Sequence, residues 1–280
     1  MLRSRCIFLF GKCVVVTAIL CNGLATLIMM PMGAALNTQP PSGANKKGVT
    51  LARQPIGRIN SLDRSKIDKT PDGQFYSRPN LVTHTDDAFI KKLANLYDDL
   101  IPEGGVVLDM MSSHVSHLPE SKSLARLDVH GMNQKELELN PARAATNGVA
   151  FVRDFNENPS FLGLCNSDEY DAVLCCVGVQ YLEEAEVVFA DLQRILKPGG
   201  ICVVSFTNRF FFEKALSSWV ERGMAERARL VTDYFRAAGG FNKIDIMGDG
   251  TGVFTQLLSA GGIGGDPFVA VVAMKEKNAI

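Results

Sequence analysis

Downstream of residue 84 the hydrophobic positions alternate between two rhythms. Phe89, Ile90, Leu93, Leu96, Tyr97 and Leu100 recur at helical spacing behind Asp86 and Asp87, acids placed where the first turn of a helix favours negative charge, so a helix is predicted over 85–100. Pro102 and Gly104-Gly105 break it. Short unbroken apolar runs then predict strands at 106–110, 124–129, 149–153, 170–176 and 201–206, with two more near 243–246 and 268–273. Helical spacing returns between them: over 134–139, over 184–196 with Val188, Leu192 and Ile195 on one face, and around Leu230, Val231, Tyr234, Phe235 and Ala238. Lys197-Pro198-Gly199-Gly200 is predicted to stop the second of these helices and turn the chain, and the Gly-rich stretch 248–266 reads as a long hairpin-like loop. Strands alternating with helices predict an α/β domain, a parallel sheet with helices on both faces.

Ligand sites in such sheets lie at the carboxyl ends of the strands. The run Val106-Val107-Leu108-Asp109 delivers an acid and then a small polar loop, Met110-Met111-Ser112-Ser113-His114, to that edge, and Asp154 ends the third strand. With 46% hydrophobic residues in 280, the chain has material for one well-packed domain plus extensions. A net charge of −1, from 29 basic and 30 acidic side chains, supplies no field that would draw nucleic acid, and no such partner is expected.

That balance conceals an asymmetry. No Asp or Glu precedes Asp63, whereas Arg3, Arg5, Lys12, Lys46, Lys47, Arg53 and Arg58 all do. Within this stretch 13–32 is almost continuously apolar, behind a short basic segment and ahead of small residues, the order of a signal peptide or signal anchor. At about 20 residues the run exceeds a usual signal core and is long enough to span a bilayer. Residues 1–35 are therefore read as a signal, transit or membrane-anchor segment, associating with a membrane through 13–32 if it is retained. Residues 36–74, rich in Pro, Gly, Asn, Lys and Arg and without periodicity, are read as a disordered linker or transit region, leaving 75–280 as the domain. A signal core followed by an acid-poor tract implies import into an organelle such as a plastid, with an uncleaved anchor as the alternative. Cys165, Cys175, Cys176 and Cys202 form neither a CxxC pair nor a spaced framework, so a reducing compartment and no metal site are expected.

Seven strands in this order, an acid ending the first, a polar cluster ending the second, Asp154 after the third and Leu-Lys-Pro-Gly-Gly entering the fifth resemble the class I S-adenosylmethionine-dependent methyltransferases over about 81–273. More narrowly, FYSRPNLVTHTDDAFIKKLANLY, VVLDMMSSHVSHLP, HGMNQKELELNP, VSFTNRFF and DYFRAAGGF are similar to a type-11 methyltransferase-like group of photosynthetic organisms and bacteria. The resemblance implies a seven-stranded Rossmann-like methyltransferase sheet, S-adenosyl-L-methionine as cofactor, and a small-molecule or lipid-like methyl acceptor. The alternative is a catalytically degenerate relative acting as a binding or assembly factor.

Methyl transfer is a single in-line displacement, accelerated largely by positioning and exclusion of water, so no catalytic side chain is assigned. Cofactor-holding roles follow from the resemblance. Asp109 partners the methionine ammonium, directly or through water. Met111, Ser112 and Ser113 stand where the family has a Gly-x-Gly loop, and the serines either donate hydroxyls to the cofactor carboxylate or form the turn. The ribose acid position falls on Gly131, so Asp128, His130 and Asn133 are the alternatives in that segment. Asp154 and Phe155 fit the adenine position. Cys176 lies in the stretch that faces the methionine part, against a plainer reading as buried packing. His114 and His117 are acid/base candidates near the methyl donor, against a plainer reading as backbone-bonded or solvated loop histidines; Asn208-Arg209 either orient the acceptor at the rim or cap the next helix, and Phe210-Phe211-Phe212 read first as core packing, with an apolar acceptor pocket as the alternative.

Overall fold

The computed structural model describes residues 52–248 and 265–277, together with the backbone of four short strands near the N-terminus. In the N-terminal unit, Met1–Val49, Ser4–Leu9 pairs antiparallel with Lys12–Thr17 and Leu20–Cys21 with Leu24–Ala25. The rest of the predicted signal or anchor span, and nearly all of the predicted 248–266 loop, lie outside the described residues. Among the described residues no helix is long and apolar enough to cross a membrane.

The larger unit, Thr50–Ile280, follows the predicted alternation. Its elements in chain order are α1 (Asp72–Phe75), α2 (Asp87–Leu100), β1 (Gly105–Met110), β2 (Leu124–Gly131), α3 (Gln134–Glu138), α4 (Pro141–Ala145), β3 (Ala150–Val152), β4 (Tyr170–Cys176), α5 (Ala185–Ile195), β5 (Leu196–Phe206), α6 (Ser217–Val220), α7 (Met224–Ala238), β6 (Phe241–Gly248) and β7 (Val269–Lys275). They build one seven-stranded sheet in the order β3-β2-β1-β4-β5-β7-β6. Neighbours from β3 to β5 run parallel, and β7 enters antiparallel to both β5 and β6. The expected methyltransferase sheet is therefore formed. Because the chain winds outward from β1 in one direction and from β4 in the other, a crevice opens where their carboxyl ends part.

Both faces of the central strands are covered, which is why they read as unbroken apolar runs. On one face Leu108, Val173, Cys175, Cys202 and Val204 pack with Val188, Leu192 and Ile195 of α5 and Val231 and Phe235 of α7. Their neighbours in sequence, Val107, Ala172, Leu174, Ile201 and Val203, point to the other face, against Phe89, Leu93 and Tyr97 of α2. Asp86 caps α2 by accepting from the Phe89 amide at 2.8 Å.

Two expectations need correction. Lys197-Pro198-Gly199-Gly200 does not form a separate turn but is drawn into β5, where pairing jumps from Tyr170↔Leu196 to Ala172↔Ile201. The extra residues bulge out, Gly199 takes φ +81°, and Lys197 ties the bulge to Asp171 at 2.7 Å.

The tract 52–74 is not a disordered linker in its described part. It is a strap laid over α7, α5 and α6: Ile56 and Gly57 amides donate to Ala237, Arg64 forks onto Glu186, and Ser217 and Ser218 amides donate to Ser65 and Asp63. Lys214, 1% exposed, donates to the Thr70 carbonyl and pairs with Asp72 at 2.8 Å, while Lys66 reaches Asp72 at 3.3 Å and Asn156 donates to it at 2.8 Å. Ile59 and Leu62 also pack against the core, but the anchors are mostly ionic and backbone contacts without a regular apolar stripe, so hydrophobic periodicity carried no trace of them.

Candidate functional site

A cavity of about 540 Å³ opens at the β1/β4 crevice, within the usual size of small-molecule sites. Its floor is the carboxyl ends of β1 to β4. One wall is the segment after the strap, through Phe75, Tyr76, Arg78 and His84, joined there by Phe211 from the chain after β5; Arg209 and Phe210 line the cavity from the same segment.

Asp109 reaches the floor from β1 and is buried. Desolvation pushes its carboxyl up to about 7, only partly offset by hydrogen bonds from Ser112 and Ser116; the Ser112 hydroxyl donates to Oδ2 at 2.6 Å. The loop behind it contains no glycine, yet Met111 adopts the left-handed conformation, φ +54°, that glycine would take without penalty. Two bonds to β2 hold it there: the Met111 amide donates to His130 Nδ1 at 3.1 Å and the Ser112 amide to the His130 carbonyl at 2.7 Å.

His130 is therefore a brace. With Nδ1 accepting, Nε2 carries the proton and donates to the Arg153 carbonyl at 2.9 Å, and burial pushes the imidazole down to about 4, which keeps it neutral. Its ring lies 4.1 Å from that of Phe155, which in turn contacts Phe161 at 4.7 Å. Phe155 and Asp154 both line the cavity.

Asp128 does not. It pairs in register with Leu108, midway along β2, and faces into the domain, accepting from Tyr170 Oη and the Val149 amide at 2.8 Å each and from Arg126 at 2.9 Å. Three residues before Gly131 in an unbroken strand, it lies on the opposite face as well as deeper in the sheet. Gly131 does reach the edge, yet a Cβ there would meet the Ser112 carbonyl oxygen at 2.5 Å, so the loop itself occupies the space an acidic side chain would need. Gly131→Asp is accordingly expected to lower the urea midpoint and to weaken, not restore, nucleoside binding. Asn133 lines the cavity but is engaged: it caps α3 through the Lys135 amide at 3.0 Å and donates to the Tyr76 carbonyl at 2.9 Å.

Sequence reasoning passed over Glu136. In the first turn of α3 it lines the cavity, accepting from Ser113 Oγ at 2.6 Å and the Asn80 amide at 2.7 Å. Phe75, Tyr76 and His84, in the segment that follows the strap, were missed as site residues as well, although they fall in the first motif that carried the family resemblance. Cys176 lines the cavity beside Asp109, and burial pushes its thiol up to about 12, so it contributes surface and not a nucleophile at neutral pH. The next residue, Val177, is a β-branched side chain at φ +47°, held by its amide to Ser205 at 2.8 Å and by Gln180 donating to its carbonyl at 2.6 Å. Left-handed backbone at Met111 and Val177 thus marks both lips of the crevice, strain of about 1 kcal/mol or more at each.

The chain has four histidines, and all gather here: His84, His117 and His130 line the cavity, and His114 is bonded to Ser113 at 3.2 Å. Among the described residues no group of His, Cys, Asp and Glu is arranged to hold a metal ion.

Residues 114–204 match the family model described as a methyltransferase domain. Uncharacterized proteins of Mycobacterium bovis and Mycobacterium tuberculosis are 31% identical over 121 residues, which is 42% of this chain and 43% of theirs, so the match spans less than half the length of those relatives. Among solved structures the chain is similar to one described as a possible exported protein from Bordetella parapertussis, with 16% identity, 72% of this chain and 71% of that one covered, and a TM-score of 0.47. It is also similar to phosphoethanolamine N-methyltransferase 2 of Haemonchus contortus in complex with S-adenosyl-L-methionine, with 14% identity, 67% and 52% covered, and a TM-score of 0.46.

Proposed function

We propose, from the match of residues 114–204 to the methyltransferase-domain model, that this protein is an S-adenosylmethionine-dependent methyltransferase acting on a small acceptor held in the β1/β4 cavity. One observation carries the reading: a buried carboxylate on the cavity floor that its own hydrogen bonds leave under-compensated. A carboxyl held near 7 by desolvation lacks a cation, and an ammonium group is the partner that would relieve it.

The remaining polar groups fit the rest of such a cofactor. Ser112 and Ser113, whose hydroxyls donate to Asp109 and Glu136, keep oxygens that accept; Glu136 supplies a carboxylate for a ribose diol, and Asp154 with the Phe155 ring offers an acceptor and an apolar face for adenine. When bound, the group supplies a methyl carbon on a positively charged sulfur, so displacement needs little more than an aligned nucleophile and a dry site. The strap and Phe211 exclude water from the acceptor side, and His130 fixes the loop that carries the serines.

Calorimetric titration of the full chain with S-adenosylhomocysteine tests the proposal. One-to-one binding is expected; a folded sample that binds none sinks it.

A further inference from the structure

We infer that the acceptor is a planar aryl hydroxyl, seated against the Phe211 aromatic wall with its hydroxyl on the His84 imidazole; the inference rests on the transferase reading above and names its substrate class. Phe211 is the hub of that wall. Its ring lies 5.5 Å from Phe75, 5.6 Å from His84, 6.2 Å from Tyr181 and 6.4 Å from Tyr76, and all five side chains line the cavity. Edge-on rings at these separations present the mixed faces and edges that favour a flat aromatic guest.

The polar groups around the wall narrow the guest's chemistry. His84 and His117 line the cavity without a hydrogen-bond partner among the described residues, in contrast to the doubly bonded His130. The groups that face His84 are Glu136, His114 and His117. Burial lowers both His84 and His117, His117 to about 4, so both are neutral proton acceptors at pH 7. The more strongly depressed His117 is the weaker base, and Glu136 supports protonation of His84, which makes His84 the better matched of the two.

Arg78 adds a guanidinium with no ion pair or hydrogen bond among the described residues, and Arg209 lies on the same rim, paired with Asp266. With Arg209 neutralised by Asp266, the Arg78 guanidinium is the charge left on this rim, and it favours an acceptor that becomes anionic as it reacts. A phenol-type hydroxyl meets all three conditions. Its oxygen bonds to the methyl carbon as the carbon–sulfur bond breaks; the electron pair stays on sulfur and cancels the sulfonium charge. The hydroxyl proton passes to His84 and from there to solvent.

The test is a titration of 4-nitrophenol into full-chain protein saturated with S-adenosylhomocysteine, read by the phenolate absorbance band. The expected result is binding with a larger phenolate fraction at neutral pH than in free solution. His84→Gln should keep its affinity for S-adenosylhomocysteine, lose that extra phenolate signal, and slow methylation of the phenol about 100-fold. Arg78→Met should weaken phenol binding while leaving the nucleoside affinity unchanged. Nitrophenol that does not bind the loaded protein, or a His84→Gln protein with the full phenolate signal, overturns the assignment. Failure to bind S-adenosylhomocysteine at all strikes the transferase reading itself, so the two failures are told apart.

Discussion

Asp109→Asn is expected to weaken S-adenosylhomocysteine binding by about 30-fold or more, the 2–5 kcal/mol typical of removing one partner from a buried hydrogen-bonded charge pair. The same substitution should stabilise the empty protein at alkaline pH, and this pairing of effects identifies the cause. With its folded-state carboxyl near 7, far above the unfolded value of about 3.9, Asp109 contributes stability that is complete below about pH 4 and is lost as pH rises through about 7. The asparagine variant has no such loss. Its advantage over the parent in urea unfolding should therefore grow between pH 5 and pH 8, reaching the order of a few kcal/mol. Taking the difference between variant and parent isolates Asp109 from His117 and His130, whose lowered imidazoles push stability the other way as pH falls. Ligand affinity of the parent should fall by about tenfold for each pH unit below about 7, because only the ionised carboxylate attracts an ammonium. Identical pH profiles for the two proteins would remove Asp109 from the cofactor site.

Arg64→Ala should cost about 3–5 kcal/mol, far beyond the usual effect of a substitution in a peripheral segment. Arg64 Nη2 and Nη1 approach the two Glu186 oxygens at 2.6 and 3.0 Å, and the Glu186 side chain is only 2% exposed. The guanidinium and the Ile59 amide hold the Glu186 carboxyl below its ordinary range despite its burial. Without Arg64 that charge is left inside α5 with the amide alone. Because the strap carries Phe75 and Tyr76 to the cavity, its release should open the acceptor side and expose 60–80 to proteases. Urea unfolding and limited proteolysis both read this. A change within about 0.5 kcal/mol would mean that the strap is not anchored there.

The domain was legible wherever burial on two faces wrote itself into sequence: each central strand and the amphipathic helices α2, α5 and α7 were placed within a few residues. Asp109, Asp154 and Phe155 were legible for the same reason, since a strand of known length has a known end. What escaped was held by contacts without a period. Lys66, Asp72 and Lys214 lie far apart in the chain and form one buried charge cluster that no local pattern reveals. Asp128 was one of three alternatives because the ends of β2 were not fixed by its sequence, and once they are, alternation turns it away from the edge that Gly131 occupies; Glu136 was missed because a helix start after β2 looked like structure alone.

The methyltransferase-domain match begins at residue 114, immediately past the turn that Met111 bends. Met111 keeps a positive φ there without being glycine because its own amide and that of Ser112 are tied to His130. The turn at the end of β1 is thereby made to depend on a residue of the neighbouring strand, and its shape is inherited from His130 and not from the loop's own letters.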